Sequence, residues 1–363
     1  INSNAPLSQK ASLEAKGEKY PGDNVYTTLD TNLQQVASTA LGVYRGAILV
    51  TEPQTGRILA MVSHPDFDPS TVAQEWDNYL QDTDSGILLN RVTQGLYPPG
   101  STFKIITSLE YIREHPDTYQ NYRYQCVGSI KWGEDRIQCY HGSVHGSVDF
   151  TRSFAKSCNT SYANIGLSLD RKEFGDTLNQ LLFNQKLPVT FQHSVSNLVV
   201  DENTSDADMM QISIGQGAAG ITPLQLNMIT CAIANNGRLM KPYLVDSVKN
   251  SAGSITREFK PSAYGDLMTE TEAAAMQALM EAVVTEGTAS RLKDLSYTAA
   301  GKTGSAEYGT VKGESHAWFT GYAPAENPQV CVTIIIEGAG AGGDYAVPIA
   351  KRIFDAYLTE PQS

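Results

Sequence analysis

The sequence predicts a mixed α/β (α+β) fold in which helices flank a central antiparallel sheet of about five strands and an all-helical subdomain is inserted into the sheet. Strand patterns lie near both ends of the chain, two close to the N-terminus and three close to the C-terminus, and the middle has helical periodicity. A strand buries its apolar face only as part of a sheet that packs against another layer. We therefore expect the strands from both ends of the chain to form one sheet.

The two N-terminal strands are expected at Ala47 to Val50 and Ile58 to Val62, where the turn-prone residues 53–56 separate two apolar runs. This pattern is typical of a hairpin. The C-terminal strands are expected in the segments YTAAGKTGSAEY, SHAWFTGYA and VCVTIII.

A buried helix is expected to begin at about Ser101, because Pro98-Pro99-Gly100 ends the preceding loop. Its apolar residues recur at helical spacing and are Phe103, Ile106, Leu109 and Ile112. Further helices are expected in FTRSFAK, TSYANIGLSL, LQLNMITCAIANNG, the range 270–284 and VPIAKRIFDAYL.

One domain is therefore expected over residues 25–363, with its sheet part in about 25–66 and 239–363 and its helical part in about 67–238. Residues 1–24 are polar and aperiodic, and we expect them to be a linker. The sequence contains no run of about eighteen apolar residues, so we expect any membrane anchor to lie N-terminal to this segment.

The formal net charge of −12, without any block of Lys or Arg, argues against a nucleic acid partner. Of the five cysteines, Cys126 and Cys139 are the plausible disulfide pair, although two reduced thiols fit equally well. Together with His141 and His145 they could be counted as four zinc ligands. Their spacing matches no common zinc finger, so we expect no metal and no cofactor. Cys158 is expected to be a small side chain that fills space.

Three S-x-x-K motifs begin at Ser101, Ser153 and Ser290. On a helix this spacing places the hydroxyl and the amine on one face, where a neutral Lys could deprotonate the Ser. Only Ser101, which is followed by Lys104, lies at the start of a strongly apolar helix, where free backbone N–H groups favour a developing oxyanion. We expect Ser153 and Ser290 to be surface residues.

Two further motifs follow Ser101 in the chain. Ser157-Cys158-Asn159 is the only S-x-N of the sequence and lies at a break between two helices. Lys302-Thr303-Gly304 lies in a predicted strand, where the Gly allows a substrate to approach the backbone closely. The order S-x-x-K, S-x-N, K-T-G is nearly identical to the set of class A β-lactamases and penicillin-binding proteins, which has S-D-N in the middle.

With these motifs, the chain resembles the transpeptidase domain of class B penicillin-binding proteins from about Val25 onward. Further stretches that resemble this family are EPQTGRILAMVS, LLNRVTQGLYPPGSTFK, HGSVDFTRSFAKSCN, IGQGAAGITPLQ, ANNGRLMKPYLV, VVTEGTA and HAWFTGYAP. The resemblance implies a β-lactamase/transpeptidase-like fold and a peptidoglycan D,D-transpeptidase at the extracytoplasmic face of the cell membrane. Its partners would be stem peptides ending in D-Ala-D-Ala, β-lactam antibiotics and proteins of the wall-synthesis machinery.

The resemblance also implies a role for each motif residue. Ser101 would be the nucleophile and Lys104 its base, while Ser157 would pass a proton to the leaving D-Ala and Asn159 would orient the peptide amide. The backbone N–H groups of Ser101 and Ser305 would bind the oxyanion. The residues that would hold the terminal carboxylate are Lys302, Thr303 and Ser305, with Gly304 beside them.

Three alternatives remain at this level: a D,D-carboxypeptidase, a serine β-lactamase, and a β-lactam sensor or binding module. A class A β-lactamase would carry a Glu-x-x-Leu-Asn pattern between the second and third motifs, and the sequence has none there. Class D enzymes and sensors share Ser-Thr-Phe-Lys but have Val where this chain has Asn159. The sequence does not separate transpeptidase from carboxypeptidase activity.

Overall fold

The structure, a computed structural model, describes residues 7–17, 22–308 and 314–359. In this part of the chain the helices α1 to α11 are, in order, Leu7–Lys16, Thr31–Leu41, Val72–Gln81, Lys104–Glu114, Phe150–Ala155, Asn159–Ser168, Arg171–Gln180, Asp206–Ser213, Pro223–Ala234, Glu270–Thr285 and Gly342–Leu358. Helix α1 lies within the segment expected to be a linker. None of these helices combines the length and the apolar character that a bilayer span requires.

The strands β1 to β14 of the described residues are Asn24–Thr27, Gly46–Thr51, Ile58–His64, Arg123–Cys126, Ser129–Trp132, Asp135–Gln138, Gly146–Asp149, Arg238–Met240, Val245–Lys249, Ile255–Glu258, Ala263–Asp266, Ala300–Glu307, Ser315–Ala323 and Val330–Ile336. Five of them form the central sheet in the order β12-β13-β14-β2-β3, and every neighbouring pair is antiparallel. The predicted sheet, with strands from both ends of the chain, is confirmed.

The central strands are covered on both faces, since every residue of β13 and β14 is buried. Helix α11 packs on β13 and β14 and also against α2, whereas α9 packs on β2, β13 and β14.

Between α9 and the sheet runs a buried chain of polar side chains. The Asn227 amide donates a hydrogen bond to the Thr333 hydroxyl. Further hydrogen bonds join the hydroxyl of Thr320 to those of Thr333 and Thr230, and the donor-acceptor distances are 2.7 to 3.2 Å. Buried polar groups that satisfy one another fix the register of a helix on a sheet.

The inserted part was expected to be all helical, and this detail is wrong. Residues 123–149 form two small antiparallel ladders, β4 with β7 and β5 with β6. Each of these strands is four residues long, which is too short for an alternating pattern to stand out in the sequence. Each ladder is a separate two-stranded sheet, so its stability depends on how it packs on the helices.

An ion-pair network fixes the loop that leads to Ser101. The Arg91 guanidinium, whose side chain is 2% exposed, lies 2.8 Å from Glu337 at the end of β14. The Tyr97 hydroxyl donates to the same carboxylate at 2.8 Å, and the Trp318 indole donates to the Pro98 carbonyl at 3.1 Å. The loop is therefore bound to the central sheet immediately before the nucleophile.

Replacing Glu337 with Ala is expected to lower the free energy of unfolding by about 3 to 5 kcal/mol, because it leaves the buried Arg91 charge without its partner. Urea denaturation measures this loss. The matched control is Glu258→Ala, which breaks an exposed pair with Lys260 and should cost no more than about 1 kcal/mol. Equal losses in the two variants would contradict a structural role for the Arg91–Glu337 pair.

Candidate active site

Ser101 lies in a single 3₁₀ turn, Gly100–Phe103, that leads directly into α4. The predicted helix therefore begins where expected, with a tighter first turn. The Lys104 Nζ lies 2.9 Å from the Ser101 Oγ. Ser101 is partly exposed, whereas Lys104 is fully buried. A substrate can therefore reach the Ser101 hydroxyl, whereas water does not reach the Lys104 amine.

The S-x-N motif lies between α5 and α6. Its Ser157 has a φ of 56°, which reverses the chain after α5 and directs the loop toward α4. The Lys104 Nζ lies 3.0 Å from the Ser157 carbonyl oxygen, 3.1 Å from the Ser157 Oγ and 2.7 Å from the Asn159 Oδ1. One amine thus joins the first two motifs.

The K-T-G motif lies on β12, one of the two edge strands of the central sheet. The Lys302 Nζ lies 3.0 Å from the Ser157 Oγ and 2.9 Å from the Thr303 carbonyl oxygen. The Ser157 hydroxyl is therefore within hydrogen-bond distance of two amines, Lys104 and Lys302. All three motifs meet at this hydroxyl.

Burial lowers the pKa of the Lys104 amine to about 7. The pKa of Lys302 is also well below its usual range, because of burial first and the neighbouring Lys104 charge second. Desolvation disfavours the charged form of an amine, and a like charge nearby adds to this effect. Lys104 can therefore be neutral near pH 7, as a proton acceptor must be.

The motifs open onto a cavity of about 470 Å³. Its lining includes the predicted Ser101, Ser157, Asn159, Thr303, Gly304 and Ser305. Lys104 and Lys302 are both completely buried and lie outside this lining. Their amines therefore act on a bound molecule through the hydroxyl groups in front of them.

Sequence reasoning missed several residues of the cavity wall. The Thr288 hydroxyl lies 2.5 Å from the Thr303 hydroxyl and faces the same cavity. Its only signal in the sequence was the stretch VVTEGTA, which resembles the family without indicating a role. The other missed lining residues are Tyr140, Ser143, His145, Lys156, Gly287, Ser290, Arg291, Ala341, Gly343 and Asp344.

The other two S-x-x-K motifs do not form a comparable pair. Ser153 is buried, which corrects the expectation of a surface residue, and it accepts a hydrogen bond from Ser161 at 2.7 Å. Lys156 instead donates to the Glu286 carbonyl. Ser290 is exposed as expected but lies on the cavity wall. Only the first motif has its hydroxyl and amine in contact.

The cysteines considered for a disulfide are unbonded thiols in the structure. The Cys126 Sγ and the Cys139 Sγ lie 3.7 Å apart, and Cys158 and His145 complete a cluster with them. Cys158 is buried, as its expected space-filling role requires. His141, which sequence spacing had included among possible ligands, is outside this cluster.

Two close backbone approaches hold the nucleophile turn. Gly100 donates its N–H to the Gly215 carbonyl at 2.9 Å, and a methyl group at Gly215 would lie 1.9 Å from the Gly100 carbonyl oxygen. On the other side, a methyl group at Gly100 would lie 2.8 Å from the Ser305 carbonyl oxygen. The turn that carries Ser101 is thus confined between the backbone at Gly215 and strand β12.

Residues 46–355 match the family model described as the penicillin binding protein transpeptidase domain. A peptidoglycan D,D-transpeptidase named PbpA from Mycolicibacterium smegmatis is 32% identical to the chain over 93% of this chain and 73% of that protein. These matches confirm the resemblance that the motifs indicated.

Solved structures agree with this family match. The imipenem acyl-enzyme complex of penicillin-binding protein A from M. tuberculosis has a TM-score of 0.86 at 28% identity, over 97% of this chain and 83% of that one. A complex between PBP2 and MreC from Helicobacter pylori has a TM-score of 0.79 at 26% identity, over 92% of this chain and 64% of that one. The similarity extends over the sheet and the inserted part alike.

Replacing Gly215 with Ala is expected to destabilise the fold and displace the Ser101 turn, because the new methyl group would overlap the Gly100 carbonyl. Gly217→Ala is the matched control. The two glycines have φ values of 79° and 81°, but a methyl group at Gly217 would meet nothing closer than 3.6 Å. Urea unfolding should show Gly215→Ala to be less stable than Gly217→Ala by about 1 to 3 kcal/mol. Equal stabilities would show that the backbone tolerates a side chain at this point.

Proposed function

Because this chain belongs to the penicillin-binding protein transpeptidase family, we propose that it is a peptidoglycan D,D-transpeptidase that acts through a Ser101 acyl-enzyme. The observation that carries the proposal is the contact of the buried Lys104 amine with Ser101, Ser157 and Asn159 together. A nucleophile, its base and a proton-transferring hydroxyl then lie within one hydrogen-bond network. This is the arrangement that acyl transfer requires.

In the first step, the Ser101 Oγ attacks the carbonyl carbon of the penultimate D-Ala of a stem peptide. The hydroxyl proton moves to the neutral Lys104 Nζ, which is 2.9 Å away. The developing oxyanion lies between the backbone N–H groups of Ser101 and Ser305. The amide donors at the start of α4 favour negative charge at this position.

The terminal carboxylate of the stem binds on the β12 side of the cavity. The Thr303 and Ser305 hydroxyls supply hydrogen bonds there, and Thr288 supports the Thr303 hydroxyl at 2.5 Å. Lys302 lies behind this wall and contributes positive charge without being exposed. A bound carboxylate favours the charged form of Lys302, which offsets the desolvation of its amine.

Collapse of the tetrahedral intermediate breaks the C–N bond to the last D-Ala. The departing amine takes a proton from the Ser157 hydroxyl, which Lys104 and Lys302 polarise at 3.1 Å and 3.0 Å and which regains a proton from Lys104. An amine from a neighbouring stem then attacks the ester, loses its proton to the same base network and returns the Ser101 hydroxyl. Water in place of this amine gives the carboxypeptidase reaction.

A β-lactam would acylate Ser101 by the same step, with opening of its ring. The M. tuberculosis relative has been solved as such an imipenem acyl-enzyme. A β-lactamase needs a carboxylate or an equivalent base that activates water. Among the described residues that line the cavity, Asp344 is the one carboxylate, and it forms an ion pair with Arg291 at 2.9 Å. We therefore expect the β-lactam adduct of Ser101 to be long-lived.

The proposal includes an extracytoplasmic location, where peptidoglycan stems are present. It also includes binding to proteins of the wall-synthesis machinery, since the H. pylori PBP2 was solved in complex with MreC. Co-purification of the full-length protein from membranes with such a partner tests this part separately from the chemistry.

The rate of acylation by a fluorescent penicillin is expected to rise with pH and to level off above about pH 7. The physical reason is that Lys104 accepts the Ser101 proton only when neutral, and burial lowers its pKa to about 7. Each pH unit below this pKa reduces the neutral fraction about tenfold, so the second-order rate constant at pH 6 should be about tenfold below the plateau.

Lys104→Arg is the control for the pH profile, because a guanidinium stays protonated at every accessible pH. This variant should show no measurable acylation between pH 6 and about pH 9. A rate in the original chain that is independent of pH, or one that falls as pH rises to 7, would refute Lys104 as the base.

Intact-mass spectrometry after benzylpenicillin treatment is expected to show one stable covalent adduct per chain. Ser101→Ala should abolish this adduct, whereas Ser153→Ala should retain it, because Ser153 is buried away from any paired amine. Rapid return of the unmodified mass with hydrolysed drug would instead indicate a β-lactamase. Incubation with a pentapeptide ending in D-Ala-D-Ala, with and without an acceptor amine, separates crosslinking from trimming.

A further inference from the structure

Helix α3 has an apolar side that the domain leaves uncovered. Val72, Trp76, Tyr79 and Leu80 recur at helical spacing and therefore share one side of the helix. An apolar stripe of this kind normally packs on a core. None of the ten residues of α3 is buried, however, and the exposed fraction is 45% for Trp76 and 58% for Leu80. The described part of the chain thus gives this stripe no cover.

Acidic residues lie before, within and after this helix. The range 65–90, which we call the α3 surface, contains six carboxylates and no Lys, Arg or His. The ion pairs found among the described residues involve none of the six. The negative charge of the α3 surface is therefore not neutralised by the domain. The six residues are Asp66, Asp68, Glu75, Asp77, Asp82 and Asp84.

The α3 surface lies at the far end of the central sheet from the two ends of the domain. At the start of β3, the Ile58 carbonyl accepts a hydrogen bond at 2.6 Å from Thr28, which follows β1. Near the end of α11, the Tyr357 hydroxyl donates at 3.4 Å to Glu52, which also precedes β3. Helix α3 follows the other end of β3, and a strand of seven residues is about 23 Å long. The segments that begin and end the domain are thus remote from the apolar stripe.

Charge decides which kind of partner fits the α3 surface. A second copy of the chain has the same net charge of −12, and a symmetric contact here would place six carboxylates against six. Anionic lipid headgroups would be repelled in the same way. A basic partner, by contrast, is attracted by all six carboxylates.

We propose that the α3 surface binds a basic amphipathic helix of another protein. The apolar side of that helix would cover Trp76 and Leu80, and its Lys and Arg side chains would contact the carboxylates around them. An exposed Trp is a typical energetic centre of such an interface. The proposal assigns a surface to the partner binding proposed above and rests on that part of the proposed function, but it does not depend on the chemistry at Ser101.

The segment behind α3 provides a rigid support for this docking. The Arg91 guanidinium donates to the Ser85 and Gly86 carbonyls at 2.6 Å and 3.0 Å, and the same side chain pairs with Glu337. A surface that is already fixed to the central sheet loses little conformational entropy when a partner binds. The residues that line the Ser101 cavity include none from α3, so docking leaves the cavity open to a substrate.

The first test is calorimetric titration with a synthetic probe, a helical peptide of about 18 residues that carries Leu on one side and Lys on the other. A matched peptide has Glu in place of Lys. We expect the Lys peptide to bind and the Glu peptide not to bind. Trp76→Ala combined with Leu80→Ala should weaken binding about tenfold or more. Tyr264→Ala is the matched control that should not weaken it, because Tyr264 is also a 45% exposed aromatic residue but lies on β11.

Equal binding of the Lys peptide by the double variant and the original chain would mean attraction by overall charge and would overturn the proposal, as would binding of the Glu peptide. Since α3 has no buried residue, the double variant should unfold at the same urea concentration as the original chain. This measurement shows that a loss of binding is not a loss of folding.

The charge requirement has its own pair of variants. Asp77→Asn combined with Asp84→Asn removes two charges from the α3 surface with little change of shape. We expect weaker binding of the Lys peptide and a smaller effect of added salt. Asp117→Asn combined with Glu202→Gln removes two exposed charges elsewhere and is the control. Equal weakening by both pairs would contradict a specific role of the α3 carboxylates.

Photo-crosslinking in the full-length protein in its own membranes tests the natural partner. We expect a photoreactive residue in place of Trp76, but not in place of Tyr264, to crosslink another protein within a basic amphipathic segment. Crosslinks to a second copy, to lipid, to an acidic segment or to nothing would each overturn the proposal. A partner that still co-purifies with the Trp76 and Leu80 double variant would keep the proposed partner binding and reject this surface. All of these readouts work without activity, so failure of the Ser101 chemistry leaves them intact.

Discussion

The rest of the site depends on the hydrogen bonds of the buried Lys104 amine. It is fully buried, yet it lies within hydrogen-bond distance of Ser101, Ser157 and Asn159. An amine in such a place loses the solvation of its charged form, and its polar neighbours only partly replace that solvation. The result is a base with a pKa of about 7, whose position is fixed by its hydrogen bonds to these three residues. On the other side of Ser157, burial and the neighbouring Lys104 charge lower the pKa of Lys302 as well.

The position of this amine requires three parts of the chain to meet at fixed distances. Helix α4 carries Ser101 and Lys104, the loop between α5 and α6 carries the S-x-N motif, and β12 carries Lys302. The sheet is held by the buried polar contacts to α9, and the loop before Ser101 is held by the Arg91–Glu337 pair. The cysteine cluster includes Cys158, the middle residue of the S-x-N motif. Each part of the scaffold therefore limits the movement of one motif.

Sequence patterns predicted most of the architecture because the relevant segments have strong periodicity. The strands near Ile48 and Ile334 are continuous apolar runs, and the helix after Ser101 repeats its apolar residues every three or four positions. The four short strands of the 123–149 segment were missed because four residues hold too few repeats. The burial of Ser153 was missed because a short helix with a polar residue every turn does not reveal which face it buries.

The candidate site shows the same division. The order of the three motifs in the sequence is enough to identify Ser101, Ser157 and Lys302 as partners. Thr288 and the other wall residues gave no such signal, because a single hydroxyl or charged residue in a loop is common in any sequence. The cysteine cluster could not be assembled from spacing, since its members lie at the ends of four separate elements.

By itself, the sequence determined the local elements, the nucleophile motif and the family resemblance, because these depend on residue types at short, regular spacing. Only the tertiary structure decided which hydroxyls share the Lys104 amine, how far its pKa falls, and which of the cysteines and histidines face one another. Distances, burial and desolvation arise between segments that are remote along the chain. The physics that makes Ser101 reactive is therefore encoded in the sequence but becomes visible only in the folded protein.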